Sequence, residues 1–572
     1  SAYSPTGAYD ATFLTTFAVL NLRDAILRVP GVAQADLIGG SEYGMRVWLR
    51  PDRLAQLQLS ATDVVNAIKE QNLQAPAGQI GAEPAPRGQE FTYTVRAPGR
   101  FTTPEEFANI IVRSAGEGGE VRIRDVGRVE LGNEFYGTDA RLNGQPAAVL
   151  QVFLLPGANQ VQSAEEIYTV LEQQKARFPD GIDYKITYDT TPAVEASIHE
   201  VMKTLYEAVF LVILVVFICL QSWRATLIPL LTVPVSLVGA LIFFPMLGFT
   251  INVLTLFGLV LAIGIVVDDA IVVVEAVMHH MVHGQAPKDA TFQAMKEVSG
   301  PVIGIAFSLS AVFIPVAFVG GLTGQLYMQF AITIALSVLI SAFNALTLSP
   351  ALSALLLKPG GQAPKGWLGK FFGAFNRGFE KFTTRYVGLA GGLVRKSVFA
   401  VIAIAAFAVG AGGIGRFLPG GFVPEEDLGI FLVHLQLPSA ASLQRTGEVA
   451  RQVEAAIGEE EMVDSYNTML GTNFLSLANT PYVATFAVRL KPWEERSGAD
   501  GNVVAIMRRL QQRLQGLSEA VIFPYTPPTI PGFGAAGGFM MVLQDRSGQV
   551  SVAGLGERGG EKGGDGEHAR DV

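Results

Sequence analysis

The sequence predicts an α-helical membrane bundle joined to α+β soluble lobes. Three observations carry that prediction. Apolar residues make up 49% of the chain and charged residues only 16%, a balance typical of a membrane protein with soluble parts. No charged residue occurs between Ala225 and Val267, nor between Val298 and Leu357. The flanking stretches, by contrast, mix short periodic segments with Gly/Pro-rich turns.

The first soluble stretch is residues 1–195. Val19, Leu22, Ile26 and Val29 follow helical spacing, and Pro30-Gly31 ends that helix. Met45, Val47 and Leu49 alternate with Arg46, Trp48 and Arg50, the pattern of a half-buried strand. A helix over 61–71 follows, then a Pro/Gly-rich excursion from Ala75 to Gly88. Strands are expected near 90–96, 121–131 and 147–155, and a helix near 162–176.

A bilayer span needs about 20 apolar residues. Five spans fit between 196 and 357, near 203–221, 227–247, 252–277, 301–320 and 328–357, with a sixth at 398–417. Pro229, Pro234, Pro301 and Pro315 fall in or at the edges of these helices, where neighbours can satisfy freed carbonyls. The connection 358–397 carries Lys358, Lys365, Lys370, Arg377, Lys381, Arg385, Arg395 and Lys396 against Glu380 alone. Basic connections stay on the cytoplasmic side. Alternation then places Arg224 and residues 278–297 there too, and both soluble lobes, 1–195 and 418–550, on the opposite, periplasmic face.

A weak repeat links the lobes. Gln151-Val152-Phe153-Leu154-Leu155-Pro156 leads into a helix with Ile167, Val170 and Leu171; Val433-His434-Leu435-Gln436-Leu437-Pro438 leads into one with Val449, Val453 and Ile457. Residues 551–572 lack hydrophobic period and are expected to be disordered, a truncated or frame-shifted tail after the strand-like Phe539–Leu543. A start at Ser1 and six spans suggest a fragment of a longer protein.

The chemistry concentrates at Asp268 and Asp269, adjacent in an apolar span. A carboxylate at mid-bilayer costs about 2.5–3.5 kcal/mol on insertion scales. Two side by side in a poorly hydrated site resist being ionised together, which suits groups that gain and lose protons. Neighbours on a helix differ by about 100°, so both can face an interhelical seam. This pattern predicts proton-coupled transport. Glu275, on the same helix stripe, either extends a proton path or is an interfacial acid at the helix end. Gly258 and Gly264 either let a neighbouring helix approach closely or are ordinary membrane glycines. His279, His280 and His283 read as a solvated face, so no metal is expected.

Other classes fit poorly. A net charge of -9 gives no reason to expect nucleic-acid binding. Cys219 is the one cysteine and forms no intrachain disulfide. No Gly-x4-Gly-Lys-Ser/Thr motif is present, which weighs against ATP as energy source. Adjacent carboxylates on one helix do not form a protease dyad, which needs acids facing each other from separate segments.

Gly258 to Glu275, with its Asp pair, resembles the fourth membrane helix of resistance-nodulation-division (RND) efflux permeases, in the hydrophobe/amphiphile branch. Ser41-Glu42-Tyr43-Gly44-Met45-Arg46-Val47-Trp48 and Tyr188-Asp189-Thr190-Thr191-Pro192 resemble porter-lobe signatures of that branch. Phe422-Val423-Pro424-Glu425-Glu426-Asp427-Leu428-Gly429 resembles the opening of its second porter lobe. Ala262 stands where the metal-exporting branch carries an acid.

The resemblance implies a partial permease with βαβ-type periplasmic porter subdomains, sited in the bacterial inner membrane. It implies a secondary active transporter rather than an enzyme, driven by the proton gradient without a cofactor. Expected partners are a homotrimer, a periplasmic adaptor (membrane fusion protein), an outer-membrane channel, the lipid bilayer and hydrophobic or amphiphilic small molecules. It also implies a lysine partner for Asp268 and Asp269 on a helix outside this sequence. Tyr466, Phe474 and Phe486 are candidate pocket residues or else plain core, and a family pocket phenylalanine falls on Gly39. The alternative expectation is a truncated, inactive membrane scaffold.

Overall fold

The computed structural model describes residues 1–74, 78–95, 99–115, 119–358, 367–395, 397–418 and 426–528. The expected features at Phe422–Glu425, Phe539–Leu543 and 551–572 lie outside these residues. The chain forms two compact units: Ser1–Thr190 with the residues from Val423 on, and Thr191–Phe422.

In the first unit, both lobes contribute to one nine-stranded sheet. Its strands are β1 (Ala2–Tyr3), β2 (Val32–Ile38), β3 (Asp139–Leu142), β4 (Gln145–Leu154), β5 (Asp183–Tyr184), β6 (Ile430–Gln436), β7 (Val463–Asn473), β8 (Ala478–Leu490) and β9 (Val521–Tyr525). The order is β5-β1-β4-β3-β7-β8-β6-β9, with β2 on β4. The lobes meet where β3 pairs antiparallel with β7, Ala140 opposite Met469.

Helices cover this sheet for readable reasons. Asp10 caps Ala11–Ala18 by accepting from the Phe13 amide at 2.8 Å. A π-turn at Val19–Arg23 follows, and Leu14, Ala18, Leu22 and Ile26 keep one buried line through it. This helix therefore starts well before the periodic signal that predicts it. In the later lobe, Val433, Leu435, Phe486 and Val488 pack beneath Val449, Val453 and Ile457 of helix Leu443–Gly458 and Ile506 and Leu510 of helix Val503–Leu514.

A smaller ladder pairs Tyr43–Leu49 with Gly127–Asn133. The expected strand at 121–131 is instead strand Gly119–Arg122, a helical turn Ile123–Val126, and strand Gly127–Asn133. Ile123 and Val126 are both fully buried, and a turn of helix points them the same way.

The second unit is helical: α1 (Thr191–Leu220), α2 (Trp223–Leu241), α3 (Val253–Val282), α4 (Pro287–Phe313), α5 (Gly321–Leu346), α6 (Leu348–Leu356), α7 (Trp367–Arg395) and α8 (Ser397–Phe417). Six helical stretches among the described residues are long and apolar enough to cross a membrane. Three details differ from expectation. α1 starts at Thr191 and α4 at Pro287, each ahead of its apolar run, so Pro301 lies inside α4. The fifth span breaks at Thr347, because Pro350 has no amide to donate to Leu346. The connection 358–397 contains α7, a 29-residue helix that its basic composition did not announce.

Candidate functional site

Asn252 caps α3 through a reciprocal pair of bonds with Thr255. The helix then packs on α1, α2, α4, α5 and α6. That leaves one open line along it: Phe257, Leu261, Gly264, Asp268, Val272, Glu275 and His279 are exposed, while every other residue from 255 to 280 is buried or half-buried. The intervals of three and four residues put this line on one side of the helix.

The two aspartates divide across this boundary. Asp269 is 5% exposed. Its Oδ2 accepts from Ser341 Oγ of α5 at 2.7 Å, and the same hydroxyl lies 3.0 Å from the Val266 carbonyl. Asp268 and Glu275 lie on the open line. Of the pair, only Asp269 sits in a seam between helices of this unit.

Ser341 is the functional neighbour that sequence reasoning missed. Gln329, Thr333, Ser337 and Ser341 recur every four residues on α5 and end at Asp269. Thr333 and Ser337 return their hydroxyls to their own helix, at Gln329 and Thr333 carbonyls. Ser341 instead bonds across to α3. Gln329 accepts from Asn252 at 2.6 Å. Asn344 donates to Ser236 of α2 at 2.8 Å, one turn further along α5. This polar line through an apolar span was the available signal.

The glycines have different surroundings. A Cβ on Gly258 would lie 3.1 Å from the Phe330 carbonyl and 3.3 Å from Thr333, so α3 and α5 approach closely there. Gly264 has nothing within 4 Å. His280 Nε2 lies 3.2 Å from Glu297 Oε2, and the His279 and His283 ring centroids are 4.6 Å apart with their planes tilted by 56°. Among the described residues, no group of three or more His, Cys, Asp or Glu could hold a metal ion.

The aromatic candidates of the first unit also separate. Phe486 is fully buried in the core of the later lobe, and Tyr466 packs against the same core. Phe474 is on the other sheet face, where Ile38 and Tyr525 join it around Leu432, Met469 and Ala487. Along β7, Tyr466 and Leu470 point to the helices and Met469 away from them, and a register shift between Leu470 and Thr472 breaks this alternation before Phe474. Burial, with Tyr188 nearby, pushes the Tyr525 phenol well above its ordinary range. Gly39 has φ +71°, and a Cβ there would meet Ala140 Cβ and the Asp139 carbonyl, both at 3.0 Å. A side chain at position 39 is thus excluded by β3.

The family model for AcrB/AcrD/AcrF proteins matches residues 2–559. The chain is 42% identical over 538 residues to the multidrug export protein AcrF of Escherichia coli (strain K12), covering 94% of this chain and 52% of the relative. It is 40% identical over 547 residues to the solvent-resistant pump membrane transporter SrpB of Pseudomonas putida, covering 95% and 52%. Against the multidrug resistance protein MdtF of Escherichia coli (strain K12) it is 40% identical over 548 residues, again covering 95% and 52%. The chain spans about half the length of these curated relatives. With its apolar helices and Asp-bearing α3, it belongs to the AcrB/AcrD/AcrF family of RND multidrug efflux permeases.

Proposed function

We propose that this chain forms the proton-carrying helices and two porter lobes of an inner-membrane permease that exports hydrophobic or amphiphilic compounds by proton/drug antiport. The observation that carries this reading is Asp269, buried in a membrane helix and bonded to Ser341 across the α3–α5 seam. Proton uptake on Asp269 removes a buried charge and turns this carboxylate–hydroxyl bond into a weaker neutral one. Asp268, on the open line of α3, would meet a lysine-bearing helix packed there. Neutralising the pair releases that cation, and helices shift past one another. One charge crossing 100 mV supplies about 2.3 kcal/mol for that motion.

In this reading both lobes are periplasmic, and the basic segments near Arg224, 278–297 and 358–397 are cytoplasmic. Phe474 and Tyr525, half-buried around the buried Leu432, Met469 and Ala487, are the side chains of that sheet face that an amphiphile would touch. The permease works as a homotrimer with a periplasmic adaptor and an outer-membrane channel, and needs no cofactor beyond the proton gradient.

Drug accumulation in cells, with and without a proton uncoupler, tests the proposal. Asp268→Asn and Asp269→Asn in the full-length permease should each abolish uncoupler-sensitive efflux while the protein stays in the membrane. Full efflux in either variant refutes the relay. The alternative reading is an inactive membrane scaffold. Assembly without efflux from the native reading frame would support it.

A further inference from the structure

We infer that Asn344 and Ser236 form a register lock between α5 and α2, a pair of positioning residues that holds the Ser341 hydroxyl on Asp269. This rests on the proton-carrying role proposed for Asp269. Asn344 Nδ2 donates to Ser236 Oγ at 2.8 Å, and Ser236 in turn donates to the Thr232 carbonyl at 2.9 Å. Both side chains are buried, Ser236 completely and Asn344 to 6% exposure. Packing two apolar helices does not call for a carboxamide, which would be costly there without a partner. A single buried Asn in a helix seam fixes register instead, at some loss of stability.

The helix that carries Ser236 needs such a fix. Pro229 and Pro234 lie inside α2 and have no amides to give the Ala225 and Leu230 carbonyls. About one turn beyond Ser236, a Cβ on Gly239 would stand 2.8 Å from Ile340 Cγ2, so α2 and α5 touch there as well. Gly239 with Ile340 and Ser236 with Asn344 together define one antiparallel register. Ser341 lies inside that register, three residues before Asn344, about 60° around α5 and about 4.5 Å along it. Its one hydroxyl proton has two acceptors on α3, Asp269 Oδ2 at 2.7 Å and the Val266 carbonyl at 3.0 Å. A small turn of α5 therefore hands that proton from the carboxylate to the carbonyl. Among the described residues, Ser341 is the only donor to the Asp269 side chain. Whether the carboxylate keeps its donor thus depends on the rotation of α5, and Asn344 fixes that rotation from α2.

The test uses the full-length permease in proteoliposomes. Infrared difference spectra between acidic and neutral buffer contain the carbonyl stretch of protonated Asp269, assigned by its loss in Asp269→Asn. Ser341→Ala should move this band to higher frequency, because the acid loses the hydroxyl bonded to it. Asn344→Leu and Ser236→Ala should each move it the same way, and Asn344→Leu should add nothing in the Ser341→Ala background. The exchanged pair, Ser236→Asn with Asn344→Ser, should return the band to its wild-type place. Efflux at a fixed proton gradient should fall by up to roughly tenfold in Asn344→Leu and recover in the exchanged pair. A band that Asn344→Leu leaves unmoved overturns the inference while the relay stands. A further shift on adding Asn344→Leu to Ser341→Ala does so too. If Asn344→Leu fails to reach the membrane, the smaller change Ser236→Ala carries the same comparison, and an unmoved band there overturns the lock equally. If Asp269→Asn removes no band, the relay itself fails and takes the inference with it.

Discussion

Asp427 and Arg496 hold the start of the later lobe, and breaking their pair should loosen that lobe selectively. Arg496 is almost fully enclosed, its side chain 1% exposed. Its Nη1 and Nη2 each donate to Asp427 at 2.7 Å. Asp427 also accepts from the Gly429 amide at 2.9 Å and the Val503 amide at 3.0 Å. One carboxylate thereby ties the start of β6 to the start of helix Val503–Leu514. Asp427→Ala leaves the guanidinium buried without its counter-charge, a loss of about 3–5 kcal/mol. In native-state hydrogen exchange on the full chain, that predicts amides of Val503–Leu514 exchanging about 150-fold to several thousand-fold faster. Asp427→Leu with Arg496→Met should recover most of the protection, because no lone charge remains. A change under tenfold in the single variant would refute the reasoning. The pH dependence has a definite sign. Burial alone would raise the Asp427 carboxyl, but Arg496 and the two amides outweigh it and hold the group below its ordinary value of 3.8. A carboxyl depressed on folding adds stability that is fully present above its unfolded value. The lobe should therefore keep this contribution above about pH 4 and lose it as pH falls further.

Ser341→Ala removes one hydrogen bond to a buried carboxylate, worth about 1.5 kcal/mol or more, and should slow efflux about tenfold at a fixed proton gradient; wild-type rates would remove Ser341 from the relay. Gly258→Leu should force α3 from α5 and cost about 1–3 kcal/mol, read as a lower unfolding temperature in detergent. Gly264→Leu should leave that temperature unchanged yet impair efflux if a helix packs on the open line of α3. Phe486→Ala should cost the later lobe about 3–5 kcal/mol and reduce efflux of all compounds alike. Phe474→Ala should spare stability and change the order in which compounds are exported.

Periodicity and charge alone determined much of this protein. The uncharged runs announced its spans, because a helix crosses a bilayer only when it is long and mostly apolar. The price of a buried carboxylate singled out Asp268 and Asp269 before any fold was known. Local pattern could not say which aspartate faces a neighbour, since adjacent helical residues point about 100° apart and only packing chooses between them. It missed Ser341 because a serine in a membrane helix gains its role from what stands opposite, here Asp269. It could not separate Phe474 from Phe486, because an aromatic on either face of a strand looks alike until sheet register assigns one face to the core. It also left α7 as a charged connection, since a basic row and an aromatic stripe look interspersed until a helix sorts them onto different sides.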